Sequence, residues 1–142
     1  METDMFTQLN LLAVLVSAIA AFVLAFAWYM PPVFGLRWAA LTKRYTGLSD
    51  SDLAANLPMK AGLWFVGFLV NAFALAVLVN LTGATDIATA ITLGAIVALG
   101  IGAVVSSWPP IHAQQPIGIW LMNSGLFLLQ QIVMAAILTL WR

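Results

Sequence analysis

Residues 61–81 read AGLWFVGFLVNAFALAVLVNL, an unbroken run with no charged side chain and only two amides, Asn71 and Asn80. At about 1.5 Å of helical rise per residue, about 20 apolar residues cover the roughly 30 Å hydrocarbon core of a bilayer, so this run is long enough to cross one. Three more runs of the same kind flank it, from about Phe6 to Met30, Ile87 to Trp108 and Ile117 to Trp141, and none holds an Asp, Glu, Lys, Arg or His. Together the four runs take up most of the 142 residues.

The chain is 63% hydrophobic and 7% charged, against about 25% charged residues in a typical soluble domain. A chain this short cannot enclose four fully buried helices in water. The expected fold is therefore all-α and membrane-integral: an antiparallel up-down bundle of four transmembrane helices with a short amphipathic interfacial helix in the first loop. A single domain spans residues 1–142. Formal net charge is zero, which gives no electrostatic footprint for nucleic acid. With no cysteine, disulfides, thiol catalysis and cysteine metal sites drop out together. The leader carries Glu2 and Asp4 and no basic residue, unlike a cleavable signal, so the first run is expected to stay as a helix.

Arg37, Lys43, Arg44 and Lys60 all fall in loop 31–60, and the one other basic side chain is Arg142. By the positive-inside rule this puts loops 31–60 and 109–116 in the cytoplasm and both termini outside, in an inner or cytoplasmic membrane of bacterial type. Trp28, Trp64, Trp108 and Trp120 fall at the cytoplasmic ends of the runs and Trp141 at the outer end, the headgroup depth that indole rings favour. Gly83 suits a helix C-cap and Thr85 or Asp86 an N-cap, so residues 82–86 predict a tight helical hairpin. Pro109, Pro110 and Pro116 resist helix continuation in the third turn. Small residues recur every four positions at Ala13, Ser17, Ala21 and Ala25, and at Ala90, Gly94, Ala98, Gly102 and Ser106. Such stripes let helix backbones approach closely in lipid, either within one chain or between chains.

In the first loop Pro31-Pro32 ends the first crossing, and Phe34, Trp38, Leu41 and Tyr45 then share one face of a short helix. Arg37 and Arg44 edge that face, which is the pattern of a helix lying in the interface plane near anionic headgroups. Gly47 can stop it, and Ser49 with Asp52 resembles a capping box for a second short helix ending near Pro58.

Trp28, Tyr29, Pro31, Phe34, Gly35 and Trp38 fit the pattern Trp-Tyr-x-Pro-x-x-Phe-Gly-x-x-Trp. The chain thereby resembles the small four-helix membrane family catalogued as domain of unknown function 1761. The resemblance extends to a polar segment such as 47–53 and to an Asn in the last helix such as Asn123. It implies fold and topology, with no activity attached.

Inside the runs the polar residues are uncharged. Ser17, Asn71, Gln130 and Gln131 share a middle depth, which permits a cluster, and Asn123 shares a helix face with Gln130. Such groups require partners in hydrocarbon, supplied either by hydrogen bonds between helices or by a polar path. Without ionisable groups an ion-coupled pump is not expected. His112 is the one histidine, and it has no Asp, Glu or Cys near it in sequence that would make a metal site or a catalytic pair. No cofactor is expected. Three roles follow: a non-enzymatic oligomerising or accessory subunit whose partners are the lipid bilayer and a second copy or larger membrane complex, a minimal transporter or channel lined by the amides, and a lipid-acting enzyme using His112. The first is the leading expectation.

Overall fold

A computed structural model describes residues 8–141; Glu2, Asp4, the start of the first run at Phe6, and Arg142 lie outside the described residues. The described residues are helical through most of each run and contain no strand. Four helices are long and apolar enough to cross a membrane: Leu11–Trp28, Leu57–Thr82, Ile87–His112 and Ile117–Leu140.

α1 (Leu11–Trp28) begins later than hydropathy predicts, because the Asn10 side chain accepts from the Ala13 backbone N–H at 3.0 Å and caps the helix there. After it, Pro31–Gly35 forms a single wide π-helical turn in which Gly35 N–H reaches Met30 O at 3.1 Å. The two prolines sit in its first turn, where no backbone donor is required. α2 (Leu36–Thr46) stops at Gly47, whose φ of 75° is the left-handed conformation that glycine adopts freely. α3 (Asp50–Ala54) starts at the expected capping box: Ser49 Oγ accepts from Asp52 N–H at 3.2 Å and Asp52 Oδ2 accepts from Ser49 N–H at 2.9 Å.

Two proline expectations need correction. α3 ends at Ala54, and Pro58 lies in the first turn of α4 (Leu57–Thr82) rather than closing the short helix before it. The second span therefore begins ahead of Ala61, and Lys60 belongs to its first turn. Pro109 and Pro110 likewise open a short helix, α6 (Trp108–His112), so the third span runs on to His112. In both places proline occupies a first turn, the one part of a helix where its missing N–H costs nothing.

α4 ends at Gly83 with φ 63°, and Asp86 caps α5 (Ile87–Ala95), its carboxylate accepting from the Thr89 N–H at 2.9 Å and the Thr89 hydroxyl at 2.7 Å. The third span then widens into a π-helical stretch, Ile96–Ala103, before α6. α7 (Ile117–Leu140) completes the chain.

α7 is the hub. It packs on α1, on α4 and along the third span, while α1 also packs on α4. Both small-residue stripes serve this hub. Ala13, Ser17, Ala21 and Ala25 are buried, as are Ala90, Gly94 and Ala98, whereas Ser106 is exposed at the end of its stripe. A Cβ on Gly94 would lie 2.8 Å from the Gln131 carbonyl oxygen and 2.9 Å from Ile132 Cα, so the two backbones are nearly in contact there. The stripes face α7 from different sides. Large apolar side chains point away from the bundle, with Leu63 and Val70 each 66% exposed and Val105 73%.

Candidate functional site

The first span ends in a cluster of aromatic rings anchored on α7. The Tyr29 ring lies 5.5 Å from Trp38, edge to face, and 6.1 Å from Trp64 in a stacked arrangement. Its hydroxyl donates to Asn123 Oδ1. The Trp28 ring packs 4.6 Å from Phe34 and against α7 at Gly125, where an added Cβ would come within 3.3 Å of the indole. Gly118 makes similar room for Leu41 of α2. Residues of the Trp28–Trp38 pattern and Asn123, ninety-odd positions away in sequence, thus form one constellation.

Gly35 explains how the chain turns here. A Cβ at that position would overlap the Tyr29 carbonyl oxygen, so the wide turn closes only on glycine. The turn carries α2 back onto the bundle, with Trp38 on Tyr29 and Leu41 on Gly118. Trp38 and Leu41 on the apolar face of α2 are therefore used for packing inside the molecule, while Tyr45 on that face stays exposed.

Beside this cluster lies a cleft of about 280 Å³ between the third span and α7, lined by Gly102, Ser106, Asn123, Ser124 and Phe127. The π-helical stretch forms one wall, and its last carbonyl, Ala103 O, accepts from Trp120 Nε1 at 3.1 Å. π-helical turns leave backbone groups out of the regular ladder and recur at functional sites. The exposed lining is almost wholly apolar, and the Ser124 hydroxyl is buried without a hydrogen-bond partner among the described residues.

Among the described residues no hydrogen bond joins the mid-span polar side chains to one another. Gln130 is buried and its amide donates to Ala21 O at 2.7 Å, tying α7 to α1. Ser17 and Gln131 are also buried, but neither the Ser17 hydroxyl nor either amide atom of Gln131 has a hydrogen-bond partner among the described residues. Asn71 is half-buried on α4 and takes no part in this bonding or in lining the cleft.

In the loop, Lys43 pairs with Asp50 at 2.8 Å, and Lys60 donates to the carbonyls of Leu53 at 3.2 Å and Asp52 at 3.4 Å. The Ser49 hydroxyl and backbone N–H hold the Asp52 carboxyl below the ordinary carboxylate range, and Thr89 does the same for Asp86. Arg37 and Arg44 are exposed. His112 lies against Trp108, ring centroids 3.8 Å apart. Among the described residues, no three His, Cys, Asp or Glu side chains converge as metal ligands would.

Sequence reasoning put Trp64 and Trp120 at interfaces without foreseeing that they would pack on Tyr29 and cap the π-helical stretch. It missed Gly118 and Gly125 as seats for Leu41 and Trp28, and the cleft altogether. The one available signal was the glycine spacing on the last helix, which by itself names no partner.

The family model described as "Protein of unknown function (DUF1761)" matches residues 12–139, nearly the whole chain. No curated protein and no solved structure matches it.

Proposed function

The chain belongs to the DUF1761 family of proteins of unknown function, and from its geometry we propose that it is a membrane-integral packing subunit that works without chemistry of its own. The four long helices would insert as an antiparallel bundle in a cytoplasmic membrane, with both termini outside and loops 31–60 and 109–116 inside. The order of contacts supports the antiparallel arrangement: Asn10 meets Trp141, Ala21 meets Gln130 and Tyr29 meets Asn123, so α1 and α7 pair in reverse order. Outward-facing Leu63, Val70 and Val105 support insertion, since that surface is stable against hydrocarbon and not against water. The orientation rests on the basic residues of the first loop.

The observation that carries the non-enzymatic reading is how the polar groups are spent. Gln130 and Asn123 hold helices together, Lys43 neutralises Asp50, Ser49 engages Asp52, and His112 rests on an indole. A transport path through Asn71, Asn123 and Gln130 loses support, because Gln130 is bonded to backbone and Asn71 does not line the cleft. An enzyme built on His112 loses support because Asp50 and Asp52 already have partners. The outer face of the third span, which packs chiefly on α7 alone, is available to a partner.

Purification in mild detergent tests the role. A second copy or a fixed membrane partner should accompany the chain at constant stoichiometry through successive columns. Recovery only as an isolated monomer from native membranes would sink the proposal.

A further inference from the structure

α2 spends its apolar face on the bundle, which leaves the adjoining face turned outward. That face carries Leu36, 69% exposed, and Val33, 52% exposed, beside the exposed Arg37, Ala40 and Arg44. Arg37 and Arg44 are two helical turns apart, so their stems leave one side of the helix about 10 Å from each other. Only the methyl group of Ala40 stands between them on that side.

The four basic side chains of the loop region divide by use. Lys43 is committed to Asp50, and Lys60 to the carbonyls that end α3. Asp52 is occupied by Ser49. Among the described residues no carboxylate pairs with Arg37 or Arg44. Two guanidinium groups therefore face outward without a counter-charge, immediately after the end of the first span.

We propose that Arg37 and Arg44 bind the phosphates of anionic phospholipids in the cytoplasmic leaflet. The guanidinium fork matches a phosphate with two parallel hydrogen bonds. The single turn Pro31–Gly35 links the end of α1 to this helix, so in an inserted chain the arginines would lie near headgroup depth. Val33 and Leu36 on the same face suit the acyl boundary beneath the phosphates. The inference rests on the membrane reading above and refines it, because the lipid site is the arginine pair and not the whole basic loop.

The test uses the full chain in phosphatidylcholine bilayers containing a trace of spin-labelled phosphatidylglycerol or, separately, spin-labelled phosphatidylcholine. The quantity read is the ratio of the two association constants. Wild type should favour phosphatidylglycerol, Arg37→Gln and Arg44→Gln should each lower the ratio by up to about fivefold, and the double variant should bring it near one. Lys43→Gln should leave it unchanged. A ratio unaltered in the double variant overturns the inference, as does an equal loss in Lys43→Gln, which would mean diffuse attraction. An acidic protein that copurifies with wild type and is lost in the double variant, without lipid preference, also overturns it. A chain that never enters the bilayer sinks the membrane reading itself, which separates the two failures.

Discussion

The Tyr29 hydroxyl donates to Asn123 Oδ1, joining the residue that closes the first span to the sixth position after the last helix begins at Ile117. Around that bond Trp38 and Trp64 pack on the Tyr29 ring, so side chains from the end of α1, from α2, from α4 and from α7 meet at one point. Tyr29→Phe keeps the ring and removes the donor. It should lower stability by about 1 kcal/mol, the usual net value of such a bond. Asn123→Ala should cost a similar amount. In a double-mutant cycle read by thermal unfolding in detergent, the two losses should not add; full additivity would mean that the bond contributes nothing.

Gly35 and Gly67 give a matched pair. A Cβ on Gly35 would overlap the Tyr29 carbonyl oxygen, whereas one on Gly67 meets nothing within 4 Å. Gly35→Ala should open the wide turn, displace Tyr29 and lower stability by about 2 kcal/mol or more. Gly67→Ala should be neutral or raise stability by up to about 1 kcal/mol, because alanine favours helix. Equal melting temperatures for the two variants would remove the close-approach argument.

The same contrast holds in the third span. A Cβ on Gly94 would lie 2.8 Å from the Gln131 carbonyl oxygen of α7, while one on Gly100 would meet nothing within 4 Å. Backbone cannot swing aside as a side chain can, so Gly94→Ala should push the third span off α7. Cysteine cross-linking between the two helices should slow markedly in Gly94→Ala and stay as in wild type in Gly100→Ala.

Gln130 and Gln131 are adjacent, buried and opposite in use. Gln130 donates to Ala21 O, and its replacement by Met should cost about 0.6 kcal/mol, the average for a hydrogen bond between membrane helices. The Gln131 amide has no partner among the described residues, so Gln131→Met should be neutral or stabilising. Thermal unfolding of the two single variants compares them, and a larger loss at Gln131 than at Gln130 would show that its amide is engaged.

Low pH should loosen the start of α3. The Ser49 hydroxyl and N–H hold the Asp52 carboxyl below its ordinary range, so the folded pKa is depressed. The stabilisation is then present in full above the ordinary range near about pH 4 and is lost as pH falls through the lower folded value. Amide exchange over residues 49–54, corrected for intrinsic rate, should quicken below about pH 4 in wild type. In Asp52→Asn it should already be faster at neutral pH and change little on acidification.

Much of the fold was legible because bilayer crossing demands long charge-free runs, and because Gly47, Gly83, Ser49 and Asp86 carry capping chemistry in their own side chains or backbone. The prolines misled at Pro58, Pro109 and Pro110, where a residue that ends one helix equally well begins the next. The start at Leu11 was hidden because Asn10 lies inside an apolar run and only its cap bond marks the boundary. At the site, the Tyr29 motif and Asn123 were both visible, but their bond depends on a wide turn at Gly35 that no hydrophobic period records. The bonding of the mid-span amides was not legible for a rotational reason: depth is readable from sequence, whereas the direction in which Asn71 or Gln131 points is set by tertiary packing.

Both the packing role and the arginine site require residues 31–60 on the cytoplasmic side of a four-span chain. The sequence contains no cysteine, so single cysteines can be placed on a silent background at the exposed Ser51 and Thr85. Labelling intact cells with a membrane-impermeant maleimide tests the claim directly. The account predicts that Thr85→Cys is labelled from outside and Ser51→Cys only after permeabilisation. The reverse pattern, or labelling of both from one side, would contradict it.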